Sequence, residues 1–410
     1  MSRRRSPQPA PPPPPQSFAS LPENVLAEIF VNLPPHPANL RSVALGSHQF
    51  RDVVTNRPFL RRFHARHGDA PPLVGFFLNE NIPRFIPTRS GEATPSASDR
   101  AAAPAPGAGA LEPRDAGWLV LSSRHARVLL QSPDRLRLLV LDPMAGRRLY
   151  IDAPLRYRPK YQSTASVICV PGADAGHGDC RSSAFGVVFV CFSNIFQTLI
   201  YLYSSETGKW EKVEFQDMAP RAPIDVMRPC VQVGDVMYWH SVFTLVLAFN
   251  INTHQLHEIP VPVDLNGDDY VARSNSNVVA PKDGSSLGFV YISLHNLQLW
   301  ASNFVSGVHV EWIPQRTVRL DTLLPLSGVR MRHVRVIGFD EDENVVYLWT
   351  KLGVFGLQLD TMQSKKLLNY CGWMYRVYPY KSFFITAGSD IFLPRSISSY
   401  IPCFMSFLNI

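Results

Sequence analysis

Four short stretches carry residue types that do chemistry in other settings. His177-Gly178-Asp179-Cys180 brings together an imidazole, a carboxylate and a thiol, the makings of a metal site or a thiol–imidazole pair. Asp264 to Asp269 reads Asp-Leu-Asn-Gly-Asp-Asp, with oxygen ligands of the kind calcium takes. Glu341-Asp342-Glu343 is a run of acids, and Ser204 to Trp210 a polar segment closed by a glycine and a tryptophan. Each falls short of a site. The His177 set lies in a Gly/Asp-rich loop with no second cluster to complete four ligands, and the Asp264 stretch lacks the bidentate acid at the far end of a calcium loop. Ser204–Trp210 and Glu341–Glu343 read as hairpin turns, the acidic one solvated. No nucleophile elbow, zinc-protease helix, phosphate loop or dinucleotide fingerprint occurs. The expectation is a chain with no catalytic residues, no cofactor and no metal.

Charge and cysteine usage narrow the partners. The chain has 410 residues, 46% apolar and 18% charged, with a formal net charge of +7. Up to His67 there are nine arginines against three acids, which leaves 31 basic against 30 acidic residues in the rest. A nucleic-acid-binding domain of that size would carry a basic excess, so no nucleic acid is expected as a partner. The six cysteines show no CxxC spacing and sit in apolar contexts, as reduced core thiols do. No Asn-x-Ser/Thr sequon occurs, the N-terminus has no signal-peptide core, and the longest apolar runs are about nine residues. These features predict a soluble protein of cytoplasm or nucleus with no membrane partner.

The elements that would position any site fall into two parts. Residues 1–17 are Arg/Pro-rich and read as a disordered tail. Residues 18–68 form a helical module. In its first helix Val25, Leu26, Ile29, Phe30 and Leu33 share one face at helical period, with Ser20 as N-cap and Pro34 and Pro35 as the stop. Leu40, Val43, Ala44 and Leu45 make a second apolar face, Ser47 caps a third segment bearing Phe50, Val53 and Val54, and Pro58 opens a basic helix with Phe59, Leu60 and Phe63 inward. About fifty residues is near the lower limit for an independent core, so such a module gains from a partner that covers its apolar surface.

Residues 70–403 read as an all-β domain, with a disordered Ala/Pro/Gly-rich insertion at about 88–117. From Trp118 onward, short strands come in sets of four, with polar turns about 45 to 65 residues apart, the signature of a β-propeller. Five repeats are clear; Leu73 to Phe77 pairing with the region Phe383 to Phe392 would close the ring as a sixth. The fold class expected is therefore multi-domain, a small all-α N-terminal module followed by an all-β propeller of about six blades.

The helical module resembles the F-box. The resemblance rests on Leu21-Pro22-x-x-Val25-Leu26-x-Glu28-Ile29-Phe30-x-x-Leu33-Pro34, then Leu40-x-x-Val43-Ala44-Leu45, Phe50-Arg51 and Pro58-x-Leu60. It departs at Gly46, where many F-boxes carry valine, and at Phe50, where they carry tryptophan. The remainder is similar to the kelch-like propeller associated with plant F-box proteins, especially those of grasses. That likeness is carried by Asp142-Pro143 with Gly146-Arg147-Arg148, Tyr203 to Trp210, Tyr238-Trp239, Leu297-x-Leu299-Trp300, Val336 to Phe339 and Tyr378-Pro379-Tyr380-x-Ser382-Phe383. The resemblance implies a substrate-recognition subunit of an SCF-type ubiquitin ligase. Leu21, Pro22, Val25, Leu26, Ile29, Phe30, Leu33 and Pro34 would engage a Skp1-like adaptor and through it a cullin, with Leu45, Phe50 and Leu60 completing the surface. The propeller would hold a target protein of unknown identity. A scaffold or regulator that uses the propeller without ubiquitin transfer is the alternative, and a propeller hydrolase would need converging acids or a metal cluster on the channel.

Overall fold

A computed structural model describes residues 21–35, 37–67, 71–79, 83–87, 115–143, 146–154, 162–169, 184–192, 197–215, 223–226, 228–241, 245–262, 275–280, 286–293, 296–306, 309–325, 334–341, 343–369 and 376–382. The stretches read as a disordered tail and, up to residue 114, as an insertion lie outside them, as do Ser20, His177 to Cys180 and Asp264 to Asp269. The chain divides into two compact units between Pro71 and Pro72.

The first unit holds four short helices, α1 (Glu23–Phe30), α2 (Pro37–Gly46), α3 (His48–Thr55) and α4 (Arg57–His67). Helix α1 is shorter than the sequence suggests. Pro22 stands at its N-cap without a side-chain bond, and the chain leaves the helix at Val31, ahead of the prolines. Ser47 does cap α3, its Oγ accepting from the backbone N–H of Phe50 at 3.0 Å. Leu26, Phe30, Leu40, Val53, Val54, Phe59, Leu60 and Phe63 are buried in this unit. Phe30 meets Phe50 edge to face at 5.3 Å between ring centroids.

The second unit is a six-bladed β-propeller. Blade I comprises β3 (Leu119–Arg124), β4 (Arg127–Gln131), β5 (Arg137–Asp142) and β6 (Arg147–Asp152). Blade II comprises β7 (Gln162–Cys169), β8 (Phe185–Phe192), β9 (Thr198–Ser204) and β10 (Lys209–Lys212); blade III, β11 (Val231–Val233), β12 (Val236–His240), β13 (Leu245–Asn250) and β14 (Leu256–Pro260). Blade IV comprises β15 (Ser276–Val279), β16 (Gly288–Ser293), β17 (Asn296–Ser306) and β18 (His309–Arg319), followed by the short helix α5 (Leu320–Leu323). Blade V comprises β19 (Arg335–Asp340), β20 (Val345–Thr350), β21 (Gly353–Gln358) and β22 (Ser364–Leu368). All are antiparallel meanders, most of their successive strands joined by short turns and β7 to β8 by a longer connection.

Blade VI closes the ring from both ends of the domain. Its inner strand is β23 (Val377–Lys381), which pairs with β1 (Leu73–Leu78), itself paired with β2 (Arg84–Pro87). The closing strand is therefore Val377–Lys381 and not the expected Phe383–Phe392 region, which lies outside the described residues. Pro379 is tolerated there because an inner strand has a partner on one side only. Apolar residues of neighbouring blades pack face to face, Leu129 and Val140 of blade I with Val187 and Phe189 of blade II, for example. The hydrophobic core thus lies between blades, and each blade needs its neighbours to bury its faces.

Candidate functional site

Helix α1 presents two faces rather than one. Leu26 and Phe30 point into the helical unit at 0% and 4% exposure, whereas Val25 and Ile29 are each 37% exposed. Both pairs are spaced i, i+4, so each forms a ridge, and the two ridges lie a helical step of about 100° apart. Of the residues singled out in the sequence, Leu26, Phe30 and Leu60 hold the unit together. Pro22, Val25, Ile29 and Pro34 face outward, and Leu21, Leu33 and Phe50 are half-buried. The side chain of Leu45 lies outside the described residues. The start of α1 is tied to α3 by Gln49, whose Nε2 donates to the Leu21 carbonyl at 3.2 Å. Glu28 and Arg62 pair at 2.6 Å on the surface, a contact that water largely screens.

Gly46 has a local explanation. A Cβ there would stand 3.2 Å from Cδ2 of Phe50, tighter than an ordinary side-chain contact. The glycine leaves room for the ring that packs on Phe30 behind the outward ridge.

In the propeller, each inner strand runs from one end of the central channel to the other. The finishing end is held by ion pairs. Arg124, last in β3, pairs with Glu341 just beyond β19 at 2.7 Å, and the backbone N–H of Gln232 donates to the second oxygen of that carboxylate at 3.3 Å. Lys381, last in β23, meets Asp340, last in β19, at 2.6 Å, and Tyr347 donates its hydroxyl to Asp340 at 3.2 Å. The acidic turn expected to be solvated is thus a cross-blade tie. Glu341 is only 25% exposed, and its cation lies far away in the chain. Beneath this end sits a cavity of about 40 Å³ lined by residues including Ser123, Arg124, Cys230, Asn277, Glu341 and Tyr378. Ser123 Oγ and Asn277 Oδ1 are buried there with no hydrogen-bond partner among the described residues. At about 10–15 Å³ per water the space suits a few solvent molecules, not a substrate.

The closest approach to a catalytic pair is His240 and Ser276. Nε2 of His240 lies 3.3 Å from Ser276 Oγ, and its Nδ1 is 2.8 Å from the Ser241 carbonyl. A carbonyl stands where an orienting carboxylate would be needed, and the two residues are 2% and 1% exposed. Burial, then the charges of Arg228 and Arg376, hold the imidazole's pKa well below its usual value. The pair joins blade III to blade IV. Burial pushes the Cys191 thiol up to about 12 and also raises that of Cys230, the state of packing thiols rather than nucleophiles. Among the described residues no three His, Cys, Asp or Glu side chains gather as a metal would need. No helix among them is long and apolar enough to cross a membrane.

The Ser204–Trp210 segment is a turn. Gly208 sits at φ +67° with its N–H on the Ser204 carbonyl at 2.9 Å, and Trp210 donates its indole N–H to the carbonyl of Asp152 at 2.8 Å.

No protein-family model and no curated protein matches this sequence. Among solved structures the chain is similar to TolB from Acinetobacter baumannii, at 14% identity and a TM-score of 0.35, covering 62% of this chain and 52% of that one. It is similar to an oligogalacturonate lyase in complex with manganese, at 8% identity and a TM-score of 0.35, covering 62% of this chain and 65% of the other. The Dos1 propeller matches at 11% identity and a TM-score of 0.35, over 64% of this chain and 62% of that one. The chain thus spans about half of the first and under two thirds of the other two. At that distance none of them bears on what this chain binds or does.

Proposed function

We propose that the chain is the recognition subunit of an SCF-type ubiquitin ligase, with α1 docking on a Skp1-like adaptor and the propeller holding a target protein. The observation that carries this reading is the outward ridge of Val25 and Ile29 on a helix whose Leu26 and Phe30 already serve its own core. Two β-branched apolar side chains at i, i+4, flanked by the exposed Pro22 and Pro34, are the pattern of a helix laid into a partner's apolar groove. The F-box-like spacing around them supplies the identity of that partner. The chain itself makes no bond in this reading. It brings a target lysine near a ubiquitin-charged enzyme, and its contribution is proximity.

The test is co-purification. Val25→Asp combined with Ile29→Asp should abolish recovery of a Skp1-like adaptor and leave the propeller's melting unchanged, since both positions are exposed. Wild-type chain that recovers no Skp1-like protein sinks the reading.

A further inference from the structure

Blade VI is one strand short. Among the described residues blades I to V each have four strands, whereas blade VI has three, in the order β23, β1, β2 from the axis outward. The outer edge of β2 therefore presents backbone N–H and C=O groups with no strand beside them among the described residues. The place beyond β2 has apolar flanks. On the blade V side, half-buried Ile86 of β2 and Leu367 of β22 pack at the margin of one core cluster. On the blade I side, half-buried Phe85 packs against the cluster that holds Trp118 and Tyr380.

Blade I points to the same place. Tyr150 of β6 is 45% exposed, and no other Phe, Tyr or Trp among the described residues is exposed. Its ring meets Trp118 at 6.0 Å in a T-shaped contact, which turns this face of β6 toward blade VI, while Ile151 on the opposite face packs with blade II. In blades II and IV the outer-strand aromatic turned to the preceding blade, Trp210 or Trp312, bonds to a carbonyl of that blade's outer strand. Tyr150 is their counterpart in blade I, and the blade before it is VI, with no fourth strand among the described residues. The Tyr150 hydroxyl accepts from Arg148 Nε at 3.1 Å, which leaves its O–H as a donor.

We propose that the chain's own segment Ser389 to Leu393 is the fourth strand of blade VI, antiparallel to β2 and flanked by Tyr150. β23 ends at Lys381, opposite Leu73, and β2 ends at Pro87, opposite Gly75, so both finish at the same end of the blade. A strand antiparallel to β2 begins at that end. From β23 to the open place is three strand spacings, about 14 Å, which about four or five extended residues span. Phe383 to Ala387 supply that length, and Gly388 allows a turn. Ser389-Asp390-Ile391-Phe392-Leu393 then offers apolar side chains to both flanks, and Pro394, without an N–H, ends the strand. Residues 88–114 leave β2 at the same end and could turn back along it, but they contain no Val, Ile, Phe, Tyr or Trp. A strand from the same chain seals an edge that otherwise templates pairing with other chains. Adaptor docking by α1 has no part in this pairing.

The test keeps the full chain. Tyr150 is replaced by the photo-crosslinker p-benzoylphenylalanine, and the links formed on irradiation are mapped by mass spectrometry. A link within one chain to the tryptic peptide Ser382 to Arg395 is the expected result. Links confined to residues 88–114, to a second chain, or to the described neighbours of Tyr150 overturn the proposal. Hydrogen exchange gives an independent readout. Along an edge strand alternate residues bond inward, so one of the amides of Phe85 and Ile86 points to the open place. That amide should exchange at least about tenfold faster in Ile391→Pro than in wild type, because the proline removes an N–H and breaks the strand. The amides of Val346 to Trp349 in β20 should stay as they are, the sign of an intact propeller. Unchanged exchange at both Phe85 and Ile86 also overturns the proposal.

Discussion

The indole Nε1 of Trp312 donates a 2.7 Å hydrogen bond to the backbone carbonyl of Pro260, fastening the outer strand of blade IV to the outer strand of blade III. Trp210 does the same two blades earlier, reaching Asp152 of blade I at 2.8 Å. Each tryptophan also meets a phenylalanine of its own second strand at 5.9 Å in a T-shaped contact, Phe289 for Trp312 and Phe189 for Trp210. Blades II and IV thus carry one staple, built from the same residue types at equivalent places. Because blades bury their faces only against each other, a tie between outer strands acts where the sheets diverge most.

Trp210→Phe and Trp312→Phe keep a ring but lose the bond. Each should cost about 1 kcal/mol, and the two should add, since the sites share no partner. Alanine at either position should cost more, about 2–3 kcal/mol, because each half-buried ring is lost as well. Denaturant midpoints at constant m-value check this.

Lys381→Met should be more damaging than its position near the end of the propeller suggests. Asp340 is 3% exposed and would keep a buried carboxylate without its ammonium partner, a loss of about 3 kcal/mol or more. Adding Asp340→Asn to that variant should recover much of the loss. Thermal melting of the single and double variants decides it; equal damage in both would place the effect elsewhere.

Acid should weaken the propeller through His240. Burial, then Arg228 and Arg376, lower its folded pKa, while the unfolded side chain titrates near about 6.5. Below that pH the unfolded chain takes up a proton that the folded one refuses. The contribution is therefore fully present above about pH 6.5 and is lost as the pH falls below it. Melting temperature measured between about pH 7.5 and 5 should fall for wild type and fall less steeply for His240→Gln.

Gly46 offers a test of the helical unit. Gly46→Ala gains about 1 kcal/mol of helix propensity, offset by the 3.2 Å approach to Phe50, so little net change is expected. Gly46→Val adds branched methyls against the same ring and should destabilise the unit by about 1–2 kcal/mol. Far-UV dichroism should fall in the valine variant, and so should adaptor recovery if α1 docks as proposed, because Phe50 backs Phe30 behind the outward ridge of Val25 and Ile29.

Much of the propeller is legible along the chain, because blade strands are short, apolar and bounded by turn residues. Where strands lack that signature, they are missed. Val310 to Ile313 reads as a brief strand, yet β18 continues to Arg319 through Pro314, Gln315, Arg316 and Thr317. Those residues are exposed on an outer strand, which needs no apolar side chain on its solvent face. The closing strand escaped for the opposite reason: Val377–Lys381 carries a proline and finds its partner at Leu73–Leu78, some three hundred residues upstream. Glu341 looked solvated because nothing nearby in sequence pairs with it; Arg124 arrives from a different blade.

The same division runs through the candidate sites. Local pattern alone established an amphipathic helix within Leu21 to Pro34, and a β domain of repeated four-stranded units. Periodicity places Val25, Leu26, Ile29 and Phe30 on one broad stripe, and nothing in it tells which half meets the core. Packing decided that. The small unit has room to bury Leu26 and Phe30 against Phe50 and its neighbours, and the stripe is wider than that contact, so Val25 and Ile29 remain outside.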